Sequence, residues 1–431
     1  MEKVINLRLP HVGEQIFENI DTDGLIQLFE VSTTWKILAE NVLLKRWKGK
    51  MFEACKSGRT EIMKLLLERC NSEDSGLNTR HQRGFTAFMV ACIIGSKDIV
   101  QLLLNHSDTN IDLNEKSDDG LTALMVACSK GNKDIVQLLL SYPNIALNAR
   151  CTGGFTALMF ACSKRHKDVV KLLLDHSNEN ELNARTSSGM TAFMSACIYG
   201  HEDVVQLLLD HSKRIEMNAT DNSGLTGFMW ACKNGHKDVV QMLLDHSNSS
   251  IDLNARNNSG STAFLLVCYN GHKDVVKLLL DHSGIEYNAR NDFGQTAFIM
   301  ACYKGHKEVV KLLLQHSNKI ELNLRDDFGF TAFMVACYHG HKDVVQLFLD
   351  QPNGNIDLNT RDNLGISAFM SACLREHKDV VKLLLEYSNI DISGYDGLPQ
   401  EMRDFIELHQ EASKELKRFN EIHQTKRRKL S

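Results

Sequence analysis

The sequence predicts an all-α protein in which repeated helix pairs stack into a solenoid, and three observations lead to this fold class. One string, GFTAFMVACIIGSKDIVQLLL from Gly84 to Leu104, returns in nearly the same form along most of the 431 residues. The chain has only four prolines and 7% aromatic residues, and this composition favours helices. With 43% hydrophobic and 24% charged residues, the chain has the composition of an ordinary globular protein.

A glycine holds the same place in every copy and returns every 34 to 36 residues. These glycines are Gly84, Gly120, Gly154, Gly189, Gly224, Gly260, Gly294, Gly329 and Gly365. An incomplete copy over residues 51–67 precedes them, so we count nine full repeats, numbered 1 to 9, and one starting helix pair. A fixed period of this size is typical of a repeat architecture.

Repeat 6 illustrates why each copy should form two helices. Thr262 can cap the first helix through its hydroxyl, and Phe264 and Cys268 lie four residues apart and so share one buried face. Gly271 is suited to end that helix. The second helix, KDVVKLLL over residues 273–280, is apolar on too many sides for an isolated surface helix. Neighbouring repeats must therefore cover it.

The repeated pattern N-x-x-x-x-x-G-x-T-A-F-M-x-A-C-x-x-G-H-K-D-V-V-x-L-L-L resembles the ankyrin repeat. The usual Thr-Pro-Leu-His of that family is replaced here by Thr-Ala-Phe-Met or Thr-Ala-Leu-Met. The resemblance covers residues 50–390 and implies helix pairs joined by hairpin fingers. It also implies protein-protein interaction, with a target protein on the concave face formed by the finger tips and the exposed side of the first helices.

Residues 1–49 do not follow the repeat and predict three short helices. Their Leu-Pro opening and the later Val-Ser-x-x-Trp ending at Trp35 look like an F-box. That resemblance implies docking on a Skp-type adaptor of a cullin-RING, SCF-type ubiquitin ligase. The residues implied in the adaptor contact are Leu9, Pro10, Ile16, Ile20, Leu25 and Val31. The alternative is a helical cap that covers the first apolar face of the solenoid.

The repeat pattern ends after Leu385, and a capping helix is predicted within residues 391–424, starting near Pro399. The tail at 425–431 contains the run KRRK. This run fits either a nuclear import signal or a solvated charged terminus.

Cysteine, histidine and asparagine recur once per repeat, and their regular recurrence favours structural roles over chemistry. Ten of the twelve cysteines are expected to be small buried thiols, too far apart for disulfides. The histidines suit hydrogen bonding at helix ends, and the asparagines suit exposed turns. Phosphate-binding, dinucleotide, zinc-protease and nucleophile-elbow motifs are absent. We therefore predict no enzyme, with no catalytic, metal or cofactor-binding residues.

Charge and hydropathy indicate which compartment and which classes of partner to expect. The net charge of −5 makes nucleic acid an unexpected partner. No apolar run is long enough for a bilayer, and the start lacks the pattern of a secretory signal. We expect a cytoplasmic protein with no membrane partner, and the basic tail leaves a nuclear location open.

The target-binding surface is predicted on the later repeats, where aromatic residues replace serines at exposed positions. The predicted aromatic residues are Tyr199, Tyr269, Phe293, Tyr303, Phe328, Phe330 and Tyr338. A column of basic residues two positions after each turn asparagine adds Arg256, Arg290, Arg325 and Arg361. The rings could instead pack between fingers, and the arginine column could reflect regular copying of the repeat.

Two functions follow from these resemblances. The first is a non-enzymatic substrate receptor of a ubiquitin ligase, in which the F-box holds the adaptor and the repeats hold a target protein. The second is an ankyrin interaction scaffold whose N-terminal helices are only a cap.

Overall fold

The computed structural model describes residues 17–31, 33–47, 50–69, 79–106, 111–246, 251–351, 356–394 and 397–411. Within these residues every regular element is helical, apart from one isolated antiparallel bridge between Arg361 and Ser367. The predicted all-α class is therefore confirmed. No helix in this described part is long and apolar enough to cross a membrane.

The chain divides into two compact units. One unit runs to Ala196 and includes Asp203–Glu216, and the other comprises Cys197–Glu202 and the chain from Met217 onward. The same helix pair recurs in both, so each unit has a core of its own made from stacked pairs.

Each repeat contributes a first and a second helix. The first helices are Met51–Ser57, Ala87–Ile94, Ala123–Lys130, Ala157–Ser163, Ala192–Tyr199, Gly227–Lys233, Ala263–Asn270, Ala297–Lys304, Ala332–Tyr338 and Ala368–Leu374. The second helices are Thr60–Arg69, Lys97–Asn105, Lys133–Leu140, Lys167–His176, Glu202–Leu209, Lys237–Asp245, Lys273–Leu280, Lys307–Gln315, Lys342–Leu349 and Lys378–Leu385. A short helix, Glu179–Leu182, and the 3-10 turns Gln82–Gly84 and Ser212–Arg214 lie between repeats.

The first helix of repeat 6 begins and ends as the sequence predicts. In repeat 6 the hydroxyl of Thr262 accepts a hydrogen bond from the backbone N–H of Leu265, and Gly271 ends the helix in the left-handed region with φ of 80°. The same threonine cap recurs in repeat 7 at Thr296, and serine replaces it in repeat 9 at Ser367. A side-chain acceptor thus satisfies a backbone donor at the helix start, where the helix itself offers none.

The core is formed by apolar columns that neighbouring repeats cover from both sides. In repeat 6 the side chains of Phe264, Val275, Val276, Leu279 and Leu280 are all buried. Within each unit the first helices of successive repeats pack together, and so do the second helices. A single repeat could not bury this apolar surface alone, and packing against its neighbours is what covers it.

The recurring cysteines are buried free thiols, as predicted. The ten are Cys55, Cys92, Cys128, Cys162, Cys197, Cys232, Cys268, Cys302, Cys337 and Cys373. Burial raises the pKa of Cys55 and that of Cys373 to about 12. These thiols are therefore uncharged at neutral pH and act as small apolar groups in the core.

The N-terminal segment packs against the starting helix pair. Its described elements are helix Thr22–Gln27, the 3-10 turn Leu28–Glu30 and helix Thr33–Trp47. The last of these packs on helix Thr60–Arg69, and Arg59 forms an ion pair with Asp23. The segment therefore covers the open side of the starting pair, as a cap does.

The residues implied in adaptor contact differ in their exposure to solvent. Leu25 has no exposed surface, Ile20 is half-buried and Val31 is 55% exposed. A fully buried side chain such as that of Leu25 supports the packing of its own segment and offers no surface to a partner. Leu9, Pro10 and Ile16 lie outside the described residues.

The chain is helical again over residues 400–411. Met402 and Ile406 are buried on one side of this helix, four residues apart. Lys378 of the last second helix forms an ion pair with Glu401 at 2.7 Å. The helix thus covers the last repeat, as a capping helix should, while residues 412–431 lie outside the described part.

Candidate protein-binding surface

Successive fingers are joined edge to edge through their backbones. The N–H of Asp292 donates to the carbonyl of Ser259, that of Asp327 to Phe293, and that of Asn363 to Phe328, each at 3.1 Å. One bond of this kind per repeat holds the finger tips of repeats 6 to 9 in a row. Residues at equivalent positions therefore form ordered columns across the repeats.

The arginine column ties each finger to the following one. Arg256 donates to the carbonyl of Arg290 at 2.6 Å, and Arg325 donates to the carbonyl of Arg361 at 2.9 Å. Arg290 pairs with Asp327 at 3.3 Å, and Arg361 pairs with Asp391 at 2.6 Å. These arginines were predicted to bind a target, and the structure gives their guanidinium groups partners within the chain.

The turn asparagines act as clamps between repeats. Asn254 donates through its amide nitrogen to the carbonyl of Gly284 at 2.8 Å and accepts through its oxygen from the N–H of Glu286 at 2.9 Å. Asn359 makes the same pair with Asn389 and Asp391. Each side chain completes the hydrogen bonding of the next turn, which is a more specific role than that of an ordinary turn residue.

The histidines after the mid-repeat glycine confirm the expected hydrogen bonding at helix ends. The Nε2 atoms of His306, His341 and His377 lie 2.9 Å from the carbonyl oxygens of Tyr269, Tyr303 and Tyr338, respectively. Each carbonyl belongs to the last turn of the preceding first helix, where the helix leaves acceptors unsatisfied. The Nε2–H donor fills one of these places.

The tyrosines at these helix ends form one continuous aromatic strip, which we define as Tyr269, Tyr303, His339, Tyr338 and Phe330. Tyr269 stacks on Tyr303 with ring centroids 6.3 Å apart, and Tyr303 meets His339 edge to face at 4.5 Å. His339 in turn lies 5.0 Å from Tyr338, which meets Phe330 at 5.8 Å. The rings therefore pack on one another along the helix ends, and Tyr303 remains 39% exposed.

A second apolar row follows the finger tips. This fingertip row consists of Phe293, Phe328 and Leu364, which are 55%, 59% and 83% exposed. Leu374, in the same column as the three tyrosines, is 50% exposed. Large apolar side chains this exposed, in one row and next to an aromatic strip, are typical of a surface that a partner covers.

Two cations lie against the strip, and neither is among the residues predicted for the site. The Nζ atom of Lys304 is 4.6 Å from the ring centroid of Tyr269 and 5.5 Å from that of Tyr303. The guanidinium carbon of Arg375 is 4.9 Å from the ring centroid of Tyr338. Lys304, His339 and Arg375 occupy one column, two residues after the repeat cysteine, and that column was the signal available in the sequence.

The electrostatic surroundings of His339 are positive. Burial lowers the pKa of His339, and the neighbouring His341, Arg375, His377 and Lys304 lower it further. A hydrogen bond with Tyr269 raises the pKa of Lys304, which keeps its ammonium group charged. The middle of the strip thus has aromatic faces with positive charge beside them and can attract an anionic group.

Tyr199 lies apart from this strip. Its ring is 58% exposed and stacks on His201 with centroids 5.9 Å apart. The predicted set of aromatic residues therefore separates into the strip, the fingertip row and this single tyrosine.

Family comparison identifies the repeats. The family model described as Ankyrin repeats (3 copies) matches residues 51–151, 146–221, 213–291, 283–362 and 318–396. No F-box domain is detected. No curated protein matches the chain.

Proposed function

The chain belongs to the ankyrin-repeat family, and we propose that its repeats hold a target protein on the aromatic strip and the fingertip row. The protein is a non-enzymatic interaction scaffold. The single observation that supports this site is the unbroken ring-to-ring contact from Tyr269 to Phe330 beside exposed Phe293 and Phe328.

Packing within the chain does not account for the fingertip row. Phe293 and Phe328 keep more than half of their surface exposed, so they contribute little to the core. Repeat 6 has Ser259 at the same finger position, which shows that the finger does not require a ring there. Exposed aromatic residues of this kind become energetically important when a partner buries them.

The arginine column lies where it can border a bound target. Arg290 and Arg361 hold the fingers in register, and 42% and 38% of their side-chain surface remains exposed beside the fingertip row. They can therefore border the target while keeping their structural contacts.

The test compares the protein with a variant that lacks two rings. Tyr303→Ala combined with Phe328→Ala should strongly reduce recovery of a target protein from cell extract, as measured by quantitative mass spectrometry. Leu408→Ala is the matched control, because Leu408 is 64% exposed on the C-terminal helix and belongs to neither row. Thermal unfolding of the control should coincide with that of the unaltered protein, and that of the double variant should fall only slightly, because Tyr303 also packs on Tyr269 and His339. Equal recovery by the double variant and the control would contradict the proposed site.

Adaptor docking through the N-terminal helices is the second candidate function. Its support is the exposure of Val31 and Ile37, 55% and 53%, on a segment that otherwise packs as a cap. If an adaptor covers these side chains, the protein is a substrate receptor of an SCF-type ubiquitin ligase. In that case the repeats bring the target close to the ubiquitin carrier, and proximity is their only contribution to the reaction.

This candidate has its own test. Val31→Asp with Ile37→Asp should abolish binding to a purified Skp-type adaptor in a pull-down and leave the fold intact, because both side chains are exposed. Failure of the unaltered protein to bind the adaptor would leave the N-terminal helices with the role of a cap.

The proposed location is a reducing compartment, the cytoplasm or the nucleus. The ten buried free thiols support it, because such cysteines persist where thiols stay reduced.

A further inference from the structure

The nitrogen-bearing side chains beside the aromatic strip are spaced by the repeat itself. Lys304, His339 and Arg375 occupy the same position in repeats 7, 8 and 9. First helices of successive repeats pack directly on one another there. Packed helices lie about 8–10 Å apart, so the three groups form a row with one group per step of that length.

Lys304 and Arg375 are less neutralised than other cations of the same repeats. Arg290 has Asp327, Arg361 has Asp391 and Lys307 has Asp343 within 4.0 Å. Among the described residues, no carboxylate lies within that distance of Lys304 or Arg375. Their charges are instead placed over tyrosine rings, where they remain available to an anion from outside the chain.

The step of this row corresponds to one turn of a polyproline II helix. That conformation has three residues per turn and a rise of about 3.1 Å per residue, so every third side chain faces the same way about 9 Å further on. A β-strand fits less well, because its third residue faces the opposite side. Aromatic surfaces are also common partners of polyproline II segments.

We propose that the target presents an acidic segment in the polyproline II conformation, with a carboxylate at every third residue facing Lys304, His339 and Arg375. This inference rests on the proposed function and specifies the partner of the same surface. The intervening residues of the segment lie between the aromatic strip and the fingertip row. The charges of Lys304 and Arg375 select an anionic segment, the ring N–H of the uncharged His339 can donate a hydrogen bond to the middle carboxylate, and the spacing of the row selects the register.

The test uses two twelve-residue peptides of identical composition, both labelled with fluorescein. EPPEPPEPPPPP has its three glutamates three residues apart, and EPPPEPPPEPPP has them four residues apart. Fluorescence anisotropy with the full chain should show at least about threefold tighter binding of the first peptide, because only its register places a carboxylate at Lys304, at His339 and at Arg375 together. Equal binding of the two peptides, or no binding of either, would overturn the proposal.

Variants assign the binding to the row. Lys304→Ala with Arg375→Ala should weaken binding of the first peptide by about three- to tenfold, as expected for two exposed charge pairs. Lys342→Ala with Lys382→Ala is the control, because these exposed lysines lie on second helices. Equal losses in the two double variants would contradict the site.

Two further outcomes separate the alternatives. Tighter binding of a labelled single-stranded dT12 than of the first peptide would replace the acidic segment by nucleic acid as the partner. If the peptides fail while Tyr303→Ala with Phe328→Ala still reduces recovery of a target protein, the interaction surface stands and the polyproline II segment is rejected.

Discussion

The Nε2 atom of His341 lies 2.9 Å from the carbonyl oxygen of Tyr303, one repeat earlier in the chain. This bond connects the two features that matter most here. Its donor fills an open acceptor at the end of a first helix, and its acceptor belongs to the residue whose ring is at the centre of the aromatic strip. The contact that joins repeats 7 and 8 therefore also sets the position of the ring.

The glycine beside this bond should be intolerant of alanine. Gly305 has φ of 72°, and a Cβ there would lie 2.5 Å from Nδ1 of His341. Gly58 is the matched control, because it has φ of 67° at the same helix position and a Cβ would meet only the hydroxyl oxygen of Ser96 at 3.5 Å. We expect Gly58→Ala to cost about 1–2 kcal/mol for the left-handed backbone, and Gly305→Ala to cost more. Urea unfolding should rank them in this order, and the reverse order would contradict the role of His341.

A glycine should stabilise the protein where a repeat lacks one. Glu376 takes the place of the mid-repeat glycine in repeat 9 and has φ of 58°. Glu376→Gly should raise the free energy of unfolding by up to about 1 kcal/mol, because it removes the left-handed strain, whereas Glu376→Ala keeps that strain. Thermal melting of both variants measures the difference in stability. A gain from alanine equal to that from glycine would show that backbone strain is not the cause.

Two serines in the same column should respond in opposite ways to alanine. Ser195 is buried and its hydroxyl donates to the carbonyl of Thr191 at 2.9 Å, while the hydroxyl of buried Ser371 has no hydrogen-bond partner within the described residues. Ser371→Ala should stabilise by about 1 kcal/mol and Ser195→Ala should destabilise by a similar amount. Both changes replace serine by alanine at the same helix position and so alter helix propensity equally. The difference between their effects on the free energy of unfolding therefore reports the hydrogen bond. Equal effects in urea unfolding would count against it.

The buried thiols should resist alkylation in the folded protein. Cys373 and Cys55 are buried and their pKa values are raised to about 12, so almost no thiolate is present at pH 8. Cys151 is half-buried and should react with iodoacetamide before either of them. Mass spectrometry of the labelled peptides measures each site. Rapid labelling of Cys373 in the native protein would place that cysteine outside the core.

Much of the fold could be predicted from the sequence because local signals and packing agree. Thr262 and Gly271 set the limits of one helix by hydrogen bonding and backbone conformation, and both signals depend only on nearby residues. The burial of Cys268 followed from its helical spacing from Phe264. Repetition then extended this interpretation to every copy.

The site was predicted only in part, because its chemistry depends on contacts between repeats. The exposed rings of Phe293, Tyr303 and Phe328 were found because they depart from the repeated pattern. The hydrogen bonds of the arginine column to the next finger could not be seen in one repeat, since donor and acceptor are some 35 residues apart. Lys304 and Arg375 were overlooked because each lies beside a ring of another repeat.

The most direct test of the central claim is site-specific photocrosslinking at the centre of the aromatic strip. Tyr303 is replaced by p-benzoylphenylalanine in one protein and Leu408 in another, and both are irradiated in cell extract. We predict a discrete covalent adduct with one target protein from position 303 and none of that species from position 408. The absence of any adduct at 303, or the same adducts at both positions, would contradict the assignment of this surface as the target site.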